Sequence, residues 1–330
     1  MTENKSRIYS VLQAFLPILV LLGHVSVMYT PDGAISLLKG SVFLEKLARY
    51  IYSFHMPLFF SLSGALWAYQ VARGKYENKP AFIKNKAKRL LIPYLFFGVC
   101  VVAPVMLALG LTQQGFFTYV IRGILLSENS RHLWYVLALF LVFILAAFIR
   151  PLWKKAHPAL ILIPSLLVLI ASQYLPRSVF QIQAALYYQF FFFLGSYLDR
   201  YLEKLIFLVK KAPYLPFIAL LAVLLRFTLP YNTVTLLFYN FCGIFAFYGF
   251  AALIASEKLV SNRFVKTLAR DGFGLYLFHP MIVYCIMYLG SKTPISPFLL
   301  FPLTVLVSFT LSMALTELVR KIKLGILIGE

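Results

Sequence analysis

Ten apolar stretches constrain this chain more than any other feature. They run over about 8–29, 47–70, 90–110, 132–150, 158–175, 179–201, 212–229, 233–255, 272–290 and 296–318. Each is long enough to cross about 30 Å of hydrocarbon as a helix. Inside lipid every backbone N–H and C=O must be bonded within the protein, so stretches of this length are expected to be helices. The expected fold is an all-α integral membrane protein of about ten transmembrane helices, forming one membrane domain over residues 1–330. A water-soluble fold fails on composition. With 61% hydrophobic and 13% charged residues, too few polar side chains remain to cover a solvated surface. The first stretch lacks a small-residue cleavage pattern and is expected to remain as a membrane helix.

The distribution of Lys and Arg orients the chain. With the N-terminus on the cytoplasmic side, the inner connections hold 23 of the 31 basic residues and the outer connections hold 7. The remaining one is Arg226, near the outer end of the seventh stretch. This asymmetry places both termini in the cytoplasm and favours an even number of crossings. It also accounts for the net charge of +20 without nucleic acid, because the basic residues lie in short clusters between apolar stretches. The fifth and sixth stretches, and the seventh and eighth, are joined closely enough to read as tight hairpins. Two outer connections, 30–46 and 111–131, are longer than a hairpin needs. The second mixes apolar and polar residues and is expected to lie as a short interfacial helix.

Polar residues within lipid require a reason. Gln13 and His24 are eleven residues apart in the first stretch, about three turns plus roughly 20° at 100° per residue. They therefore share one face, separated by ~16 Å along the axis. His24 reads either as a packed histidine bonded to a carbonyl or as a reactive group. His55, in FHMPLFFSLSG (54–64), should lie at a depth similar to His24. Pro57 is expected to kink its helix. Ser61, Ser63 and Gly64 suit close helix packing or, less simply, a serine nucleophile.

The basic run KNKAKRLLIPY (84–94) marks the cytoplasmic mouth of the third stretch, with Pro93 in its first turn. The run either obeys the positive-inside rule or binds phosphates. His132, Trp134 and Tyr135 sit at an outer interface, where an aromatic belt explains Trp134 and Tyr135. His279 precedes Pro280 in GLYLFHPMIV (274–283) and is either structural or cavity-lining. Every Asp and Glu, Asp199 among them, is expected at a stretch end or in a loop. Proton-coupled carriers usually place ionisable groups at mid-membrane. Histidines there favour catalysis, since neutral imidazole can take a proton from a hydroxyl. Cys100, Cys242 and Cys285 lie in apolar stretches without metal-ligand spacing, so neither a metal site nor a disulfide is expected.

Five pieces occur in order along the chain: the first-stretch pattern ending LLGH at His24, FHMPLFFSLSG at 54–64, RLLIPY at 89–94, LWYV at 133–136 and LYLFHP at 275–280. Together they resemble the acyltransferase 3 family of membrane O-acyltransferases, in particular its branch similar to fucose 4-O-acetylases. The resemblance implies a ten-helix core that moves an acyl group, usually acetyl, from acetyl-CoA to cell-surface carbohydrate. The family carries a basic residue eleven positions before the histidine, where this chain has Gln13. Its Arg-x-x-Arg pair appears here as Lys86 and Arg89.

The resemblance implies His24 as general base or acyl carrier, with His55 orienting the acceptor or steadying the oxyanion. It places Gln13, Lys86 and Arg89 along the donor path and Ser63, Trp134, Tyr276 and His279 as cavity or support residues. Acyl-CoA is expected as a donor substrate rather than a resident cofactor. The expected acceptor is a carbohydrate, lipid-linked or polymeric, and the expected location is the plasma or inner membrane of a bacterium. A transporter or flippase for a lipid-linked sugar is the alternative. The basic cytoplasmic mouth and outer histidines distinguish the two.

Overall fold

The computed structural model describes residues 2–31, 33–35, 40–176 and 179–330. Lys39 and Arg177, two of the seven basic residues expected on the outer side, lie outside the described residues, as does part of the 30–46 stretch. All regular structure among the described residues is helical. The helices are α1 (Thr2–Val27), α2 (Val42–Tyr52), α3 (His55–Ala72), α4 (Lys79–Ala108), α5 (Phe116–Leu125) and α6 (Arg131–Lys155). They continue with α7 (Ala159–Ser172), α8 (Ile182–Lys211), α9 (Leu215–Phe227), α10 (Thr233–Ile254), α11 (Arg263–Ser291) and α12 (Pro297–Lys321).

Six of these, α1, α4, α6, α10, α11 and α12, are long and apolar enough to cross a membrane. The pair α8 and α9, bent by 98° at a short break, counts as a seventh if it forms one crossing. All ten apolar stretches fall on helical backbone, yet they are not ten continuous spans. The stretch 47–70 breaks at Ser53 and Phe54. There the Ser53 hydroxyl donates to the Arg49 carbonyl at 2.7 Å, and Phe54 leaves helical geometry at φ −146°, ψ −15°. Pro57 then falls in the first turn of α3, where no N–H is needed; it helps start a helix instead of kinking one. The stretch 158–175 yields only the 14 residues of α7, and the α-helical part of α9 is 8 residues.

Pro93 also differs from expectation. The Asn78 side chain accepts from the Ala81 amide at 2.9 Å and starts α4 well before the apolar stretch. Pro80 takes the first turn, and Pro93 lies within the helix. The basic run is thereby helical, and Lys86 and Arg89 are one turn apart on one face. Past Phe97 the helix passes through a π-helical stretch, Gly98–Val102. A short helix does occur within 111–131 and is α5. It docks on α4, with the Tyr94 hydroxyl donating to the Ile124 carbonyl at 2.5 Å.

Asp199 and Asp271 lie at the edges of their apolar stretches, but the helices outrun those stretches, so both residues sit inside α8 and α11, where both are buried. Neither is left unpaired. Tyr9 donates to Asp199 at 2.5 Å and Lys5 lies 3.5 Å from the same carboxylate. Arg270 and Arg320 each reach Asp271 at 2.6 Å. Removing one partner from such a pair would strand a buried charge, so these contacts pin α1 to α8 and α11 to α12.

Helices in lipid associate by close packing rather than by expulsion of water. The tightest crossing is that of α3 with α8, and it is reciprocal. A Cβ at Gly64 would run into the Phe192 carbonyl, and one at Gly195 would run into the Ser61 carbonyl. The obstacle in each case is backbone, which cannot rotate away. The Ser/Gly group of the second stretch is thus a packing face. Gly64→Ala and Gly195→Ala should each sharply lower the fraction of detergent-solubilised protein that elutes as a single folded species. Gly115→Ala, with nothing within 4 Å of the added methyl, should leave that fraction unchanged. Size-exclusion chromatography of the three variants checks this.

Candidate active site

A cavity of about 430 Å³ opens between α1, α3, α4, α6 and α11. Gln13 and His24 both line it, as their common helical face requires. So do Lys86 and Arg89 from α4, and Arg270 from the start of α11. Lys86 holds its ammonium 4.0 Å from the centre of the Phe143 ring, with Phe82 at 5.7 Å and Tyr76 at 5.5 Å. It has an aromatic cage and no carboxylate partner among the described residues. Arg89 donates through Nε to the Gly329 carbonyl at 2.7 Å. The loop carrying Tyr76 is fixed by Glu77, which meets Arg150 at 2.5 Å and Lys154 at 3.3 Å. Those two cations, Lys154 foremost, hold the Glu77 carboxyl below its usual range. Burial raises the Tyr76 hydroxyl against the pull of Arg89, so it remains an O–H donor. A neighbouring opening of about 550 Å³ is lined by Lys88, Arg89, Arg270 and Arg320 with Asn85 and Glu330. Arg89 and Arg270 face both spaces.

At the other end of the cavity the histidines form a chain. His24 Nδ1 lies 2.8 Å from His279 Nε2, with the rings stacked 5.0 Å apart. His279 Nδ1 lies 2.7 Å from the Leu275 carbonyl oxygen. A carbonyl can only accept, so in the neutral rings Nδ1 of His279 carries the proton and its Nε2 is a lone pair. His24 must then donate through Nδ1, which leaves Nε2 of His24 unprotonated. By the same logic His55, whose Nδ1 lies 3.0 Å from the Ile51 carbonyl, keeps a lone pair on Nε2. Pro280 has no N–H to offer the preceding turn, and His279 supplies a side-chain donor there.

A second cavity of about 300 Å³ lies beyond His24, walled by His55, Tyr52, Tyr188, Tyr284 and Arg131 among others. His24, Met56, His132 and Trp134 line both cavities and form the neck between them. Trp134 packs on Tyr188 at 5.3 Å, and Ser63 meets the Tyr135 hydroxyl at 3.2 Å. Tyr276 donates to the His132 carbonyl and so ties α11 to the start of α6.

The residues singled out in the sequence are therefore divided among three places. Gln13, Ser63, Lys86, Arg89 and Tyr276 line the larger cavity, His24 and Trp134 stand at the neck, and His55 lines the smaller cavity, the outer one in the expected orientation. His279 lines neither and supports His24. Trp134 and Tyr135 face the cavity instead of forming a lipid-facing belt. His132, Arg131, Tyr76, Gln70 and Arg270 were missed. A histidine beside Trp and Tyr at a stretch boundary looks like an interface, and only the fold turns it inward. Among the described residues no group of three or more His, Cys, Asp or Glu is placed to hold a metal ion.

A multi-pass membrane protein with two adjoining cavities, the larger basic at one end and both lined by histidine where they meet, is the class that fold and site define. The family model described as an acyltransferase domain matches residues 9–317, and the chain belongs to the acyltransferase 3 family. The match is to the family and does not distinguish its branches. No curated protein and no solved structure matches the chain.

The caged ammonium of Lys86 is costly in a fold that gives it no anion. Functional sites commonly lower stability in this way. Lys86→Met keeps the length of the side chain and removes the charge. It should raise the thermal unfolding midpoint in detergent, by an amount equivalent to about 1 kcal/mol. Differential scanning fluorimetry of wild type and variant checks the direction.

Proposed function

We propose that this chain is a membrane O-acyltransferase that moves an acyl group, acetyl being the expected one, from acyl-CoA to a hydroxyl of a cell-surface or exported carbohydrate. The observation that carries this reading is the position of His24. Its unprotonated Nε2 follows from the His279 and Leu275 hydrogen bonds, and the residue stands where a cation-lined cavity meets an aromatic one.

Acyl-CoA enters from the cytoplasmic side and sets its phosphates against Lys86 and Arg89, with Lys88, Arg270 and Arg320 around the neighbouring opening. Charge-assisted contacts of this kind are the strong ones for phosphate. The pantetheine arm runs past Gln13 and brings the thioester to the neck. The acceptor hydroxyl comes from the outer cavity. His24 Nε2 takes its proton as the oxygen attacks the thioester carbonyl. The tetrahedral intermediate collapses, the C–S bond breaks, and the proton passes from His24 to the departing CoA sulfur. His55 has its Nδ1–H committed to the Ile51 carbonyl, so its Nε2 accepts from a second hydroxyl of the acceptor and orients the sugar, leaving the attacking O–H to His24. That geometry favours orientation over oxyanion stabilisation. Ten crossings with both termini cytoplasmic, in the plasma or inner membrane of a bacterium, complete the reading; the charge asymmetry supports the orientation.

Topology is tested with cysteines introduced by Gly40→Cys and Lys75→Cys in a chain freed of Cys100, Cys242 and Cys285. A membrane-impermeant maleimide should label the first from outside and not the second; labelling of both would overturn the orientation. His24 is tested by acetyl content of the isolated polysaccharide, normalised to membrane-inserted protein. Loss of a general base costs roughly 10²–10⁴ in rate, so His24→Ala and His24→Gln should both abolish detectable acylation. Near-normal acylation by a well-expressed His24→Gln would remove the base from His24 and leave it a packing residue.

A further inference from the structure

The outer cavity has one formally charged residue in its wall, and the reaction above makes no use of it. Arg131 lines the same space as His24 and His55, and no Asp or Glu is among the residues that wall it. Its backbone is held at φ 52°, in the left-handed region that is unfavourable for an L residue other than glycine. The surrounding loop over-determines that conformation. The Ser127 and Ser130 hydroxyls bond to each other at 2.8 Å, Gln181 Nε2 donates to the Ser127 carbonyl at 2.6 Å, and the Phe180 amide donates to the Leu126 carbonyl at 2.7 Å. Strain that persists because its surroundings enforce it is a mark of functional positions.

The guanidinium has the Tyr119 and Tyr284 hydroxyls as neighbours, but no carboxylate among the described residues. One Nη donates to the Leu111 carbonyl at a long 3.3 Å, and the charge lies 6.0 Å from the Tyr284 ring. Nε is buried and has no hydrogen-bond partner. On the same outer side Arg49 and Arg122 are each paired with a glutamate; Arg131 has no such ion pair among the described residues. A buried guanidinium donor without a partner is unfavourable unless a ligand completes it.

We infer that Arg131 binds an anionic group on the acyl acceptor, a carboxylate or a phosphate, so that the substrate is an acidic or phosphorylated carbohydrate. This rests on the acyl-transfer reading. The aromatic walls offer stacking faces to any sugar and do not fix which hydroxyl meets His24. A planar guanidinium that grips an anion through two parallel N–H bonds fixes both register and orientation. The donor's phosphates are not the ligand, because their cations lie on the far side of the neck. Arg131 is a specificity-determining residue, one position from His132 at the neck itself.

The test uses the purified full chain in proteoliposomes with radiolabelled acetyl-CoA and three acceptors: methyl glucoside, methyl glucuronide and glucose 1-phosphate. At least one anionic acceptor should exceed methyl glucoside in kcat/KM by about 10- to 100-fold, the range of a charge-assisted bidentate contact. Preference for the glucuronide identifies an acidic sugar as the natural acceptor, and preference for the phosphate identifies a sugar phosphate. Arg131→Gln should bring the anionic acceptors to the level of methyl glucoside through acceptor KM, with the KM for acetyl-CoA unchanged. Arg131→Lys should retain part of the preference, which separates lost charge from a misfolded loop. Equal use of all three by the wild type, or a preference that survives in Arg131→Gln, overturns the inference and leaves the acyltransferase reading standing. Acylation of none of the three overturns the carbohydrate-acceptor reading and this inference with it.

Discussion

The hydrogen bond from His24 to His279 is the contact on which the rest of the site depends. It joins two helices far apart in sequence, and it exists because α1 and α11 approach closely several turns below it. At Gly272 an added Cβ would meet the Pro17 ring at 2.8 Å and the Gln13 carbonyl at 3.2 Å. With the backbones that near, the two imidazoles three turns (α1) and two turns (α11) further along stack face to face. Leu275 then sets the proton on His279, and His279 sets the proton on His24. A main-chain carbonyl thus decides which nitrogen of His24 carries the proton, with no charge introduced.

The basic end of the cavity follows a different rule. Lys86 and Arg89 share a face because helix α4 begins at Lys79, about three turns before the apolar stretch. Asn78 and Pro80 start that helix, and the whole basic run becomes a rigid surface instead of a loose cytoplasmic loop. Arg270 is held at the same opening by Asp271 and Glu317, which also engage Arg320. The acids there are structural: they hold the arginines in place while leaving the opening lined by more cations than anions. Gln13, the neutral residue where the family carries a basic one, borders a cavity already served by Lys86, Arg89 and Arg270.

What the sequence revealed and what it hid divide along physical lines. Periodicity within one helix was legible: Gln13 and His24 share one face. The membrane class was legible too, because 61% hydrophobic residues in long stretches admit few alternatives. Hidden were the places where local capping overrides hydropathy. Ser53 breaks the second stretch, Asn78 extends the third, and so Pro57 and Pro93 exchange the roles that hydropathy alone assigns them. Long-range pairing was equally hidden. Nothing near His279 in sequence shows that its partner is His24, and nothing near Arg131 shows that it faces a cavity rather than the headgroups.

Histidine is the group that such a neck requires. A base at this depth must rest uncharged, since an unpaired carboxylate among apolar helices is costly. The chain does bury two carboxylates, Asp199 and Asp271, and ties each to cations on other helices or beside it; neither lines the space around His24. A carboxylate at the neck would need a comparable cation, and that pairing would depress its basicity. Imidazole avoids the conflict. It is neutral at rest, it accepts a proton only as charge develops on the attacking oxygen, and His279 offers a lone pair to the N–H opposite. In the proposed reaction the positive charge then lasts only until the sulfur leaves and takes the proton. The two cavities keep their different characters on either side of a neck that carries no permanent charge, so that an anionic donor is drawn to one end without being drawn through to the other.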